Sequence, residues 1–460
     1  MSRRILVRGS ETASERSNMR KRFLAITLCI TMILSLASCA RTTDPQIQSQ
    51  NLMEELEKTI SRNKNPEGQT EPVDTKNEET KDTDAKVTLA DFEGQYPLSD
   101  FGIRLMQQTI QSAKVDENVL ISPLSVLLAL YMTANGADGQ TKDQMLQVLG
   151  EDLNRYLKAY QEALPQSANY KLNIANGIWF KDKESLKVQE DFLKANRDYF
   201  NAAIYKAPFN DITCKEINNW VKENTDGMIE SILNEIPQDA VLYLINALSF
   251  DAKWTKPYQE RGVHEDCIFT KEDGTEQKTT LMYSEEHVYL EDEYATGFMK
   301  YYKENKYAFV ALLPKEGVKV ADYVATLSAD GLHQMFSNAK RTVVNARLPK
   351  FKTEYNILLN DVLMQMGMED ALSFEDADFS KMAVSDDGNI FISRVLHKTF
   401  ISVDEQGTKA GAATAVETMD SAMFITESYN VFLDRPFVYM LIDCETNQPF
   451  FIGTMMDVEK

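Results

Sequence analysis

The sequence predicts an α+β protein with one large folded domain over residues 95–460, and three observations lead there. Helix-period segments gather early in that region and strand-like runs later, without the strand–helix–strand alternation of a parallel α/β sheet. No shift of composition and no internal repeat divides the region. The chain is 43% hydrophobic and 10% aromatic, ample for a packed core of that size.

At the N-terminus, "MRKRFLAITLCITMILSLASC" begins at Met19 with a basic cluster and runs apolar from Phe23 to Ala37. A run of about 15 such residues suits a signal h-region and is short for a membrane span. It ends in Leu36-Ala37-Ser38-Cys39, which resembles the bacterial lipoprotein box, where small residues fit the peptidase and the cysteine sulfur is acylated. Residues 1–38 are thus expected to be a signal peptide, with Met19 as an alternative start because residues 1–18 lack the pattern. Cys39 is expected to be the lipidated mature N-terminus; a plain signal peptide with an incidental Cys is the competing reading.

From Ala40 to about Asp91 the chain turns to Thr, Glu, Lys, Asp, Asn and Gln, and "NPEGQTEPVDTKNEETKDTDAK" cannot bury enough surface to order itself. Residues 39–94 are therefore expected to be a lipidated N-terminus and a disordered polar tether spanning on the order of 40 Å r.m.s.. Within it, "QNLMEELEKTI" is expected to form a transient helix at most.

The folded region opens with "LSDFGIRLMQQTI", whose Leu98, Phe101, Leu105 and Ile110 keep helical spacing. "SPLSVLLALYMTANGA" starts on Ser-Pro, suited to a helix N-terminus, and stops at Asn135-Gly136. "EINNWVKENTDGMI" and "YNILLNDVLMQMGM" have amphipathic helix patterns. "KLNIANGIWF", "VLYLINALSF", "YAFVALLP", "TVVNARLPKF", "TFISVDE", "VFLDRPFVYMLID" and "PFFIGTMM" have the apolar density of strands.

Formal net charge is −21, and the first 39 residues carry seven Arg/Lys against Glu11 and Glu15, so the remainder stands at −26. That repels nucleic acid and anionic lipid surfaces. Cys29 and Cys39 belong to the leader. Cys214, Cys267 and Cys444 are widely spaced without a CxxC or Cys/His cluster, which argues against zinc and leaves buried thiols or one bridge open. Enzyme signatures are missing: no G-x-S-x-G, no phosphate-loop spacing around Gly407-Thr408-Lys409, no partner motifs for the S-x-x-K at Ser337–Lys340, and four unclustered histidines. No cofactor is expected. One stretch stays unexplained by these rules, the Gly/Ala/Thr ribbon within "DEQGTKAGAATAVETMDSAMF" at 404–424.

Separated segments supply the explanation. "NVLISPLSVLLALYMTANGADGQTKDQM", "LINALSFDAKWTKPY", "LPKF", "MGMEDALSFEDADFSKM", "VLHKTFISVDEQGTKAGAATAV", "FLDRPFVYMLID" and "PFFIGTMM" resemble the serpin family, in the family's order and over nearly all of 95–460. The resemblance implies a metastable fold of three β-sheets with eight or nine helices and an exposed reactive-centre loop. It implies no catalytic residues in this chain, since the chemistry belongs to a target protease, trapped as a covalent 1:1 complex.

Residue by residue, the resemblance makes Glu405, Gly407, Thr408, Ala410, Gly411, Ala412, Ala413 and Thr414 the hinge, Ser122, Ser125, Asn246 and His397 the shutter cluster, and Trp254 the breach aromatic. A count of about seventeen residues from Glu405 puts the reactive bond at Ser421–Ala422, with Met419, Asp420, Met423 and Phe424 as alternatives. Side chains alternate along a strand. One face would hold Thr408, Ala410, Ala412, Thr414, Val416 and Thr418, all uncharged, while Lys409 and Glu417 fall on the other. The expectation is a monomeric, surface-anchored inhibitor of extracellular serine proteases, elastase-like or subtilisin-like, with a cysteine protease as an alternative target. A non-inhibitory binding or adhesion module on the same fold is the alternative, and it commonly carries Pro, charge or bulk in the hinge.

Overall fold

Strand-forming and helix-forming stretches build two large sheets and a small one in the computed structural model. It describes residues 47–64, 87–164, 167–237, 240–386, 388–408 and 427–459. Residues 49–460 form one unit, and of residues 1–48 only Ile47 and Gln48 are described. The seven-stranded sheet runs, in spatial order, β1 (Gln50–Asn51), β5 (Ala203–Ala207), β3 (Tyr170–Lys181), β6 (Leu242–Lys253), β15 (Gly407–Thr408), β14 (Arg394–Val403) and β12 (Phe351–Leu358). The nine-stranded sheet runs β16 (Ser428–Phe432), β11 (Lys340–Pro349), β8 (Glu276–Glu291), β9 (Ala295–Tyr301), β10 (Tyr307–Pro314), β17 (Phe437–Asp443), β18 (Gln448–Met455) and β2 (Leu120–Ile121), with β7 (Val263–Thr270) beside β8. β4 (Lys187–Val188) and β13 (Ala383–Val384) make the third sheet.

Ten helices occur among the described residues. They are α1 (Leu52–Lys64), α2 (Pro97–Ser112), α3 (Pro123–Ala134), α4 (Gly139–Leu149), α5 (Asn154–Glu162), α6 (Glu190–Phe200), α7 (Asp211–Asn224), α8 (Val320–Thr326), α9 (Ala329–Ser337) and α10 (Asn360–Gln365). Nine of them, α2 to α10, lie within 95–460. The predicted α+β class with three sheets is the observed one.

Helix α3 explains how the two large sheets are joined. Its sequence PLSVLLALYMTA is apolar all round, as a helix covered on every side must be, and every residue is buried between β6 and β18. Pro123 occupies the first turn, where its missing N–H costs nothing, and the Ser122 hydroxyl caps the helix by accepting from the Ser125 N–H at 3.3 Å. On the opposite face of the first sheet, Ile217 and Val221 of α7 cover Trp179, Tyr243 and Ile245. Strand β6 is therefore covered on both faces, which its unbroken apolar run requires.

Two expectations are corrected. "YNILLNDVLMQMGM" is not one helix, because its first residues end β12 and only Asn360–Gln365 are helical. In β12, Phe351, Thr353 and Tyr355 are buried and Lys352, Glu354 and Asn356 exposed, a period of two that outweighs the apolar density behind the helical pattern. The stretch "QNLMEELEKTI" is more than transient. Gln50 and Asn51 pair with Lys206 and Tyr205 at the edge of the first sheet, and α1 follows with Leu52 and Leu56 buried against the core. Those two side chains lie one helical turn apart, and burying each contributes about 1.5–3 kcal/mol. Average composition of the acidic segment hid this stripe.

Candidate functional site at the parallel seam

Most neighbours in the first sheet are antiparallel, but β6 and β14 run parallel, with Tyr243–Ser249 beside Arg394–Phe400. Parallel pairing is slightly weaker per residue. At its upper end the pair is already parted. Gly407 and Thr408 of β15 lie between the two strands and antiparallel to both, with Thr408 opposite Val403 on one side and Ala252 on the other. Gly407 is required at this close approach, since a Cβ there would meet the Ala252 carbonyl oxygen at 2.0 Å.

The turn feeding β15 is tightly held. The Asp404 carboxylate accepts from the Gln406 and Gly407 N–H groups at 2.8 and 3.1 Å. Both Glu405 carboxylate oxygens accept from the Lys350 ammonium at 2.9 Å. Trp254 donates from its indole to the Asp404 carbonyl at 2.9 Å and from its backbone N–H to the Gln406 carbonyl at 2.8 Å. Its ring stacks on Tyr302, with centroids 4.3 Å apart. The Lys300 ammonium lies over the Tyr258 ring at 4.2 Å and pairs with buried Glu286 at 2.7 Å. Thr408 and Tyr302 are both fully buried, and their hydroxyls are 2.6 Å apart.

Lower on the seam, one row of polar side chains crosses three strands. Asn176, Asn246 and His397 are register partners on β3, β6 and β14. His397 Nδ1 donates to Asn246 Oδ1, and His397 Nε2 accepts from the Ser122 N–H at 3.0 Å. Asn246 Nδ2 donates to Asn176 Oδ1 at 2.8 Å, and the Ser125 hydroxyl reaches the same oxygen at 3.4 Å. Ser122, Ser125, Asn246 and His397 have no exposed surface. Burial pushes the His397 imidazole down to about 3, so it is neutral at pH 7 with its proton on Nδ1. The row ties the first turn of α3 to the strands above it, and parting β6 from β14 breaks its Asn246–His397 bond.

The structure thus brings Ser122, Ser125, Asn246 and His397 into one network and Trp254, Glu405, Gly407 and Thr408 into another. Sequence reasoning missed Asn176, Tyr302 and Lys300. Asn176 had a signal, a polar residue between small Ala175 and Gly177 in a strand-like run, and the structure sets it in register with Asn246. Ala410, Gly411, Ala412, Ala413, Thr414, Met419, Asp420, Ser421, Ala422, Met423, Phe424 and Cys39 lie outside the described residues. The thiols of Cys214, Cys267 and Cys444 are free.

A family profile described as "Serpin (serine protease inhibitor)" matches residues 97–458. An uncharacterized serpin-like protein of Thermococcus kodakarensis is 32% identical over 353 residues, covering 74% of this chain and 81% of that protein. The structure of tengpin, a thermophilic serpin, in its native state superposes with a TM-score of 0.77 at 46% identity, covering 89% of this chain and all of that one. Tengpin in its latent state gives 0.69 at 48% identity, covering 79% and 97%.

Proposed function

The chain belongs to the serpin family, and on that premise we propose that it is a surface-anchored suicide inhibitor of extracellular serine proteases, elastase-like or subtilisin-like. The protease serine attacks the Ser421 carbonyl, the Ala422 amine departs, and an acyl-enzyme forms. The segment after Thr408 then inserts between β6 and β14 as a full strand and carries the tethered protease along the sheet. Misplacing its catalytic groups by about 1 Å costs about 100-fold in deacylation.

The observation that carries this reading is the position of Thr408, inside the sheet at the open end of a parallel pair. An inserted strand there replaces one parallel pairing with two antiparallel ones. The register of β15 fixes where each residue would land. With Thr408 level with Val403 and Ala252, Ala410 falls between Ile401 and Phe250, Ala412 between Thr399 and Leu248, and Thr414 between His397 and Asn246. The uncharged face then points toward α3, and the Thr414 hydroxyl arrives where the Asn246–His397 bond must break. A strand carrying small residues and a hydroxyl at that one level fits the seam, which favours inhibition over a non-inhibitory binding role.

Lipid on Cys39, an outward-facing location on a bacterial envelope and a monomeric working form complete the proposal. Two or three acyl chains exceed the marginal anchoring of one. Incubation with pancreatic elastase or subtilisin, followed by denaturing electrophoresis, tests it. An inhibitor gives a covalent adduct that survives SDS, whereas a binding module gives only cleavage or nothing. A fatty-acid probe should label the wild type, and equal labelling of Cys39→Ala would remove the anchor from the account.

A further inference from the structure

We infer that Tyr302 is a positioning residue for loop insertion, whose hydroxyl holds Thr408 in the seam and so fixes the register in which the following strand enters. The inference rests on the inhibitory reading and names the group that starts its decisive step.

Four observations carry it. The Tyr302 and Thr408 hydroxyls are 2.6 Å apart with both residues fully buried, so neither has water as a substitute partner. The Tyr302 ring cannot swing away, being stacked on Trp254 at 4.3 Å and meeting Phe250 edge-on at 5.1 Å. Trp254 and Tyr302 also form a β-bridge, which ties that ring's backbone to the end of β6. Finally, Thr408 itself is paired by its backbone on both sides, opposite Val403 and Ala252.

Register matters because a strand's side-chain period is two. A slip by one residue would turn Lys409 and Glu417 toward the buried side and take Thr414 off the level of His397 and Asn246. Backbone bonds alone do not discriminate between registers, since every residue offers the same N–H and C=O. A fixed hydroxyl that accepts only a side chain of threonine's length and polarity does. Tyr302 therefore selects Thr408, alongside the close approach that admits only Gly407 at the preceding position, and the selection propagates down the seam.

The test compares the wild type with Tyr302→Phe, Thr408→Val, Thr408→Ser and the double variant Tyr302→Phe/Thr408→Val. Subtilisin is titrated with each, and the moles of inhibitor consumed per mole of SDS-stable complex are measured beside the melting temperature. Tyr302→Phe and Thr408→Val should each raise that ratio about threefold to tenfold, the scale of one lost buried hydrogen bond. The double variant should be no worse than either single one, and Thr408→Ser should stay near the wild type. An unchanged ratio in Tyr302→Phe, or effects that simply add, would overturn the inference even if the melting temperature fell. A wild type that is cleaved without forming any adduct overturns the inhibitory reading, and this inference with it.

Discussion

Two central strand pairs of this molecule are joined in opposite ways. In the nine-stranded sheet, β10 and β17 are antiparallel along their length, and every residue of both is buried. In the seven-stranded sheet, β6 and β14 are parallel, carry Asn246 and His397 at their middle, and are parted at the top by Gly407 and Thr408. The first pair is built to stay shut. At the second, Asn246 and His397 set a hydrogen bond that can exchange partners among apolar neighbours such as Leu244 and Val395, so the seam has polar contacts to trade as well as apolar ones to lose. The difference marks the seam as the place where the proposed insertion would act.

Breaking that contrast at the seam should have the largest effect. Thr408→Arg forces an unpaired charge into the buried end of the seam and costs several kcal/mol against insertion. The variant should be cleaved by protease and yield no SDS-stable adduct. A cavity in the closed sheet acts on stability instead. Leu441→Ala, at a residue with no exposed surface on β17, should lower unfolding free energy by about 2–5 kcal/mol, read by chemical denaturation. Adduct formation per folded molecule should persist in it.

Smaller effects sharpen the comparison. Asn246→Ala leaves the His397 Nδ1–H without its acceptor and should destabilise the uncleaved form by about 1–3 kcal/mol. Acid should act on the same group. His397 is held neutral by burial, its pKa lowered to about 3 against about 6.5 when unfolded, so the unfolded state takes up the proton first as pH falls. Stability is complete above about pH 6.5 and declines below it, by about 2 kcal/mol at pH 5 from this residue. His333, stacked on Tyr96 away from the seam, is lowered by burial to about 4 and adds a similar slope. Denaturation midpoints at pH 7 and pH 5 should therefore differ less in His397→Gln than in the wild type.

Much of the fold was legible because its central strands are apolar on both faces, and "VLYLINALSF" and "YAFVALLP" admit little else. The regions that misled share one cause, a local pattern outvoted by a regional average. Leu52 and Leu56 were two apolar residues in an acidic stretch, and Tyr355 with its alternating neighbours was absorbed into the helical signal after it. At the candidate site, the residues assigned as hinge and shutter were named from collinear motifs, and of the hinge residues Glu405, Gly407 and Thr408 lie within the described residues, with Gly407 and Thr408 both buried. Tyr302 and Lys300 could not be named, because nothing in a sequence says which aromatic or cation meets a hinge 106 residues further on in the case of the Tyr302–Thr408 contact.

The central claim is that the seam between β6 and β14 accepts a strand and that the molecule is more stable once it has. Cutting the loop with a small amount of subtilisin, removing the protease and comparing melting temperatures tests this most directly. The account predicts that the cleaved wild type unfolds well above the uncleaved protein, while cleaved Thr408→Arg gains nothing from the cut. A cleaved wild type that melts at or below the uncleaved one would contradict it.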